Sequence, residues 1–206
     1  MDIAVNLVES YLRLNGYLTL TEVEVQHPGA SGLYESITDI DVVAIRFPGD
    51  MFAADLHGEA DSRMLLIEDD GLYLGPEMVD VIIGEVKEGP ARLNAAVRRH
   101  EVLHMVLRRL DWIYESGVDP VLADLQRRGL SEAMGRSGAV IRTRLVAFGA
   151  DPGEPTLHLV PLSHVLERMV EFMERFDDVL RPTQFKEPAP ALLRLLVKCG
   201  FRLTNR

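Results

Sequence analysis

Charged side chains follow an apolar run near the middle of the chain, in the stretch 78–89 (MVDVIIGEVKEG). A run this apolar predicts a strand that is buried on both faces. Glu85 and Lys87 lie at its end, and residues two apart point to the same side of a strand. A carboxylate and an ammonium are costly to bury unless they pair with each other or bind a metal. The stretch is therefore either a strand end that emerges into solvent or part of a site.

A pair of carboxylates marks an earlier strand, predicted over 37–47 (ITDIDVVAIRF). Asp39 and Asp41 share one face of it and repel each other unless a cation or water separates them. Aspartates at a strand edge are also ordinary. Carboxylate oxygens suit Mg²⁺, which lowers the pKa of a bound water, and a nearby lysine can orient that water. Asp41, Glu85 and Lys87 thus form a candidate Mg²⁺ phosphodiesterase site.

The other elements must position these side chains. An Asp2-capped helix to Asn15 carries Glu9, and a strand over 17–26 follows it. An acidic insertion at about 48–77 precedes the central strand, and we expect a hairpin in it from 64–67 and 72–74. The remaining predicted elements are helices over 91–115, 121–128, 163–180 and 189–199 and strands over 139–149 and 157–160. We expect one domain over 1–180, with 181–206 as a helical tail packed on it.

Composition limits the function classes. The chain has 206 residues and a net charge of −10, which argues against passive coating of nucleic acid. The arginines of the predicted long helix are either phosphate contacts or a solvated face: Arg92, Arg98, Arg99, Arg108 and Arg109. No apolar run suits a membrane span, and the first residues lack a basic signal-peptide region. The single cysteine, Cys199, fits a reducing compartment, so we expect a cytoplasmic protein without membrane contact.

These pieces, in this order, resemble the PD-(D/E)XK phosphodiesterase superfamily. This is the restriction-endonuclease-like fold, which also includes archaeal Holliday-junction resolvases. The segments GYLTLTEVEVQ, ITDIDVVAIR and VIIGEVKEG carry the resemblance over about 2–115, and more loosely over 139–149. The resemblance implies an α/β fold with a central mixed sheet flanked by helices. It also implies Mg²⁺, or Mn²⁺ in its place, and a nucleic-acid substrate, which we expect to be DNA rather than RNA.

The resemblance also implies a role for each site residue. Asp41 and Glu85 would be metal ligands, the carbonyl of Val86 would add an oxygen, and Lys87 would be the catalytic lysine. Glu9 would be the helix carboxylate that many members place near the metal. The fold also hosts inactive members, so a catalytically inactive binding or assembly module is the alternative. The apolar helix 189–199 packs either on its own domain or against a second copy in a homodimer.

A second motif competes with this interpretation. His100-Glu101-Val102-Leu103-His104 matches H-E-x-x-H, in which two histidines bind Zn²⁺ and the glutamate is a general base. The motif makes a zinc metallopeptidase the less favoured alternative. The pattern places both histidines on the apolar arc of the predicted helix, where a core histidine is commoner than a ligand. Glu115 is the candidate third ligand.

Overall fold

The computed structural model describes residues 2–29, 32–49, 69–177 and 187–202. Within these residues the chain forms an α/β protein with a curled, mixed six-stranded sheet and five α-helices. The helices are α1 (Ile3–Leu14), α2 (His100–Arg108), α3 (Asp119–Arg128), α4 (Leu162–Arg175) and α5 (Pro188–Lys198). The strands are β1 (Leu18–Pro28), β2 (Tyr34–Arg46), β3 (Met78–Val86), β4 (Leu130–Met134), β5 (Val140–Gly149) and β6 (Leu159–Pro161).

The sheet places β3 at its centre. Strands β1, β2 and β3 form an antiparallel meander, and β5 then lies parallel to β3 on its other side. β4 pairs antiparallel with β5, while β6 pairs parallel with its end. β3 is buried on both faces, as its apolar run predicts. The coarse expectation of a mixed sheet flanked by helices is therefore confirmed.

Two hydrophobic clusters cover the two faces of this sheet. α1, α4 and α5 pack on one face, where Val42, Ile82 and Phe148 are buried. α2 and α3 pack on the other, where Val81, Ile83 and Leu145 are buried. Alternation along β3 therefore sends even-numbered side chains towards α1 and odd-numbered ones towards α2. None of the helices in the described ranges is both long and apolar enough to cross a bilayer.

The predicted long helix over 91–115 is wrong. Residues 95–98 form a 3₁₀ turn, α2 spans only His100–Arg108, and a second 3₁₀ turn follows at 111–113. The start is held outside a helix because the Ala91 N–H donates to Asp151 at 2.6 Å. The Asn94 side chain then accepts from the Ala96 N–H at 3.0 Å, and Arg99 is extended (φ −66°, ψ 143°). These local bonds compete with a continuous helix.

Other boundaries also differ from prediction. The hairpin of β1 and β2 runs further than expected, since Pro28 still pairs with Tyr34 at the sheet edge. The predicted second arm 72–74 is not a strand, because 70–72 forms a 3₁₀ turn and Tyr73 is left-handed (φ 52°). The predicted first arm, 64–67, lies outside the described residues. β4 was not predicted, and Ser163 lies within α4, which starts after Pro161 without a side-chain cap.

Candidate functional site

The end of β3 brings together three of the predicted site residues. Ladder pairing between β2 and β3 stops at Val42 and Gly84. Beyond that point the Asp41 carboxylate replaces the backbone partner, and its Oδ2 accepts from the Val86 N–H at 2.6 Å. Glu22, opposite Asp41 across the β1–β2 hairpin, has a left-handed φ of 53°, which interrupts that ladder as well. The backbone is thus irregular where the carboxylates meet.

Lys87 joins the two carboxylates. Its Nζ lies 2.5 Å from Glu85 Oε1 and 4.0 Å from Asp41 Oδ2. The side chain of Glu85 is 4% exposed and that of Asp41 16%, while that of Lys87 is 45% exposed. The pairing therefore covers a buried carboxylate with a cation that reaches solvent. We call Asp41, Glu85 and Lys87 the strand-end cluster.

Each carboxylate of the strand-end cluster keeps one oxygen outside these contacts. Glu85 Oε2 is fully buried and has no hydrogen-bond partner within the described part of the chain. The one hydrogen bond of the Asp41 side chain, among the same residues, uses Oδ2 and leaves Oδ1. Buried polar atoms are normally satisfied, so an orphaned carboxylate oxygen calls for an explanation such as an ion. Two spare hard oxygens suit Mg²⁺, which typically takes one or two carboxylates and keeps several waters.

Electrostatics at the strand-end cluster are dominated by burial. Burial raises the pKa of Glu85 above its ordinary value, and Lys87 only partly offsets this effect. Burial also raises the pKa of Asp41, against the opposing hydrogen bond from Val86. Asp39, which is exposed, adds negative potential to both carboxylates. Three carboxylates therefore face one ammonium, an excess of negative charge that favours a cation.

Glu9 does not join the strand-end cluster. Within the described residues, its Oε1 accepts from Arg13 at 2.6 Å and from the Thr19 hydroxyl at 3.1 Å. The reason lies in the sheet, because α1 packs on the even-numbered face of β3, whereas alternation along β3 assigns Glu85 to the odd-numbered face. The structure shows Val86 contributing its N–H to the cluster, and its carbonyl as a metal ligand stays a prediction.

The H-E-x-x-H motif lies on α2, away from the core side. His100 is exposed and His104 half-buried, so the prediction of core histidines is wrong. Glu115 follows the 3₁₀ turn at 111–113 and binds the carbonyl of Met134 through its N–H. No three His, Cys, Asp or Glu side chains in the described ranges form a group that could hold a metal. The described residues therefore contain no zinc centre with three protein ligands. A Mg²⁺ site with two carboxylates does not require a third protein ligand.

A second charged group, at the start of β3, was not predicted. Asp80 accepts from Arg142 Nε at 2.5 Å, from Arg144 Nη2 at 2.9 Å and from the Tyr17 hydroxyl at 2.5 Å. All of these side chains are buried. Burial alone would raise the pKa of Asp80, but Arg144 and Arg142 together lower it below its ordinary value. Two arginines alternating within an apolar strand were the only sequence signal for this pairing.

The same arginines fix the chain that leads into β3. Arg142 and Arg144 both donate to the carbonyl of Leu72, at 3.1 Å each. Next to this turn, the buried Asp69 accepts from Tyr11 at 2.5 Å and lies 2.8 Å from His164 Nε2. The buried charges of this region, Asp69, Asp80, Arg142 and Arg144, all have partners among the described residues, as expected of a structural network.

No model of a known protein family, no curated protein and no solved structure matches this chain.

Proposed function

We propose that this protein is a metal-dependent nucleic-acid phosphodiesterase with a restriction-endonuclease-like core. One observation carries the proposal: the buried Oε2 of Glu85 has no hydrogen-bond partner among the described residues. It lies in a cluster with Asp41 and a half-exposed lysine, at the end of the central strand. A structural ion pair would not require an orphaned oxygen next to an excess of carboxylates.

Asp41 and Glu85 are the residues that would hold Mg²⁺ or Mn²⁺, through the oxygens that their hydrogen bonds leave over. A cation bound there lowers the pKa of a coordinated water and screens the negative charge of a phosphodiester. The protein part of the chemistry falls to Lys87. Its ammonium is tied to Glu85, and its raised pKa, to which the Glu85 hydrogen bond contributes, keeps it charged at neutral pH. It is thus placed to orient an attacking water or to stabilise charge on the phosphate.

A basic segment follows the strand-end cluster and supports a nucleic-acid substrate. Residues 91–109 contain five arginines and one acidic residue, in a chain whose net charge is −10. All five are exposed, and none forms an ion pair with any described residue: Arg92, Arg98, Arg99, Arg108 and Arg109. Solvent-facing guanidinium groups that have no carboxylate partner among the described residues are well suited to phosphate contacts, although Arg98 also donates to the carbonyl of Gln126 at 3.4 Å. The remainder of the chain is acidic on balance, so this segment is the part of the sequence best suited to such contacts.

The inactive binding or assembly module remains the second candidate. It is favoured by the bonds that Asp41 makes to Val86 and that Glu85 makes to Lys87, which give both carboxylates a structural role. Removing either would then loosen the strand end without affecting any chemistry. The module predicts metal or nucleic-acid binding without strand cleavage.

The test is a cleavage assay on labelled single- and double-stranded DNA and RNA, in Mg²⁺, in Mn²⁺ and in a chelator. We expect cation-dependent cleavage that Asp41→Asn and Lys87→Ala each abolish. Glu88→Gln is the matched control, since Glu88 is an exposed carboxylate one residue beyond Lys87. Unchanged cleavage in both cluster variants would refute the assignment, and a cation that binds without any cleavage would favour the module.

A further inference from the structure

A pair of parallel imidazoles lies on α2, apart from the strand-end cluster. His100 and His104 are one helical turn apart, and side chains four residues apart lie above one another on a helix. Their ring centroids are 5.8 Å apart, and the ring planes differ by 11°. Neither ring is in the core: His100 is exposed and His104 half-buried. Packing therefore does not account for the pair.

The ring nitrogens of both histidines form no hydrogen bond with any described residue. Among the described residues, neither His100 nor His104 takes part in a hydrogen bond or an ion pair, and their one ring contact is with each other. The contrast is with His158 and His164. His158 Nδ1 lies 3.0 Å from the Leu145 carbonyl, and His164 Nε2 lies 2.8 Å from Asp69. The α2 pair thus keeps all of its ligand-forming nitrogens available.

The pair also lines a concave surface. His100, His104 and Arg108 form one wall of a groove of about 570 Å³, and the β1–β2 hairpin forms the other with His27 and Ile37. A groove restricts the motion of the rings and leaves room for water on the open side of a bound ion. Zn–N bonds are about 2.0–2.1 Å, so an ion shared by two rings needs nitrogens about 3–4 Å apart. To share one ion, the two rings must rotate out of the parallel stack, because a ring nitrogen binds an ion that lies in the plane of its own ring.

We propose that His100 and His104 form a binding site for a borderline transition-metal ion of the Zn²⁺, Ni²⁺ or Cu²⁺ class. Imidazole nitrogens prefer these ions, whereas the carboxylate oxygens of the strand-end cluster prefer Mg²⁺ and Mn²⁺. With two protein ligands the ion keeps its remaining positions for water or an outside ligand in the groove. The site is therefore separate in place and in metal class from the cation site of the proposed function, and it does not depend on that function.

The experiment is calorimetric titration of the full chain with Zn²⁺ and with Mg²⁺, in the wild type and in His100→Ala and His104→Ala. Each substitution should weaken Zn²⁺ binding by at least the roughly 10–100-fold that removal of an outer-shell partner costs. His27→Ala is the matched control, because this histidine lines the same groove outside the pair. Glu85→Gln is the second control, and Zn²⁺ binding to the pair should persist in it. Thermal unfolding of each variant checks its folding.

A second readout is the histidine ring spectrum. Zn²⁺ should shift the ring resonances of His100 and His104 and leave those of His158 and His164 in place. Zn²⁺ binding that survives both α2 substitutions, or that disappears in Glu85→Gln alone, would overturn the proposal. Absence of Zn²⁺ binding in the wild type would overturn it as well, without bearing on Mg²⁺-dependent cleavage.

Discussion

The two ends of β3 hold charge in opposite ways. At its start, Asp80 is bonded to two buried arginines and a tyrosine, and its pKa is lowered despite burial. At its end, Glu85 shares one half-exposed lysine with Asp41, and its pKa is raised because burial dominates. The first carboxylate is oversupplied with cations, while the second belongs to a group with too few.

We interpret this difference as one between a structural charge and a charge that belongs to the proposed cation site. A buried carboxylate with complete partners fixes neighbouring segments, as Asp80 does for the turn at Leu72 through Arg142 and Arg144. A buried carboxylate left with an orphaned oxygen carries a cost that folding alone does not repay. Such costs are typical of sites that await a ligand.

The largest expected effect on the free energy of unfolding is at the start of β3. Asp80→Asn leaves two buried guanidinium groups without their counter-charge, so we expect a loss of about 3–5 kcal/mol in the free energy of unfolding. Urea denaturation measures it, with the exposed Glu88→Gln as a control that should change little. A loss below about 1 kcal/mol, the range of exposed ion pairs, would show that Asp80 is not the centre of the network.

At the end of β3 we expect a substitution to change the free energy of unfolding in the opposite direction. Glu85→Gln replaces a buried charged side chain with a neutral one of the same shape. The ion pair that is lost is weak because Lys87 is half-exposed. Without divalent cations we expect the free energy of unfolding to rise by about 0.5–2 kcal/mol, the range of common stabilising substitutions. Parallel urea curves for the variant and the wild type measure it. A clear destabilisation would instead mark Glu85 as a structural partner of Lys87.

The pH dependence of these two variants should differ in direction. Because the folded-state pKa of Asp80 is lowered, its stabilisation is present above the ordinary aspartate pKa of about 4 and disappears as the pH falls further. Because the folded-state pKa of Glu85 is raised, its cost is present at neutral pH and disappears as acid protonates it. The gain from Glu85→Gln should therefore shrink towards pH 4. A gain that grows on acidification would contradict the assigned direction.

The smallest expected effect is on α1. Glu9 is bonded to Arg13 and Thr19, away from the strand-end cluster, so Glu9→Gln should leave cation binding and cleavage within about twofold of the wild type. Its ion pair is partly exposed, and the stability change should stay within about 1 kcal/mol. Loss of cleavage in this variant would restore Glu9 to the site that the family resemblance assigns it.

The sequence allowed the strand-end cluster to be predicted because its signals are local. Alternation placed Glu85 and Lys87 on one side of the strand, and the residue pattern placed Asp41 in the strand that precedes it. Local signals also predicted α3 with its Gly129 stop, β5, and α5 ending before Gly200. The pairing of β2 with β3 then brought the two segments together.

The errors in these predictions arose where contacts between residues far apart in the sequence determine the structure. Asp151, two residues after β5, accepts from the Ala91 N–H, so the predicted long helix could not start there. Glu9 fell outside the cluster because α1 packs on the other face of the sheet, which its amphipathic pattern does not specify. The Asp80 network joins residues more than sixty positions apart, and no spacing rule connects them.

The central claim is that the end of β3 binds a hard divalent cation through its two carboxylates. The most direct measurement is calorimetric titration of Mg²⁺ and Mn²⁺ into the wild type, Glu85→Gln and Glu88→Gln. The account predicts one site per chain in the wild type and in Glu88→Gln, and its loss in Glu85→Gln, a variant that stays folded. Equal binding in all three proteins, or none in the wild type, would contradict it.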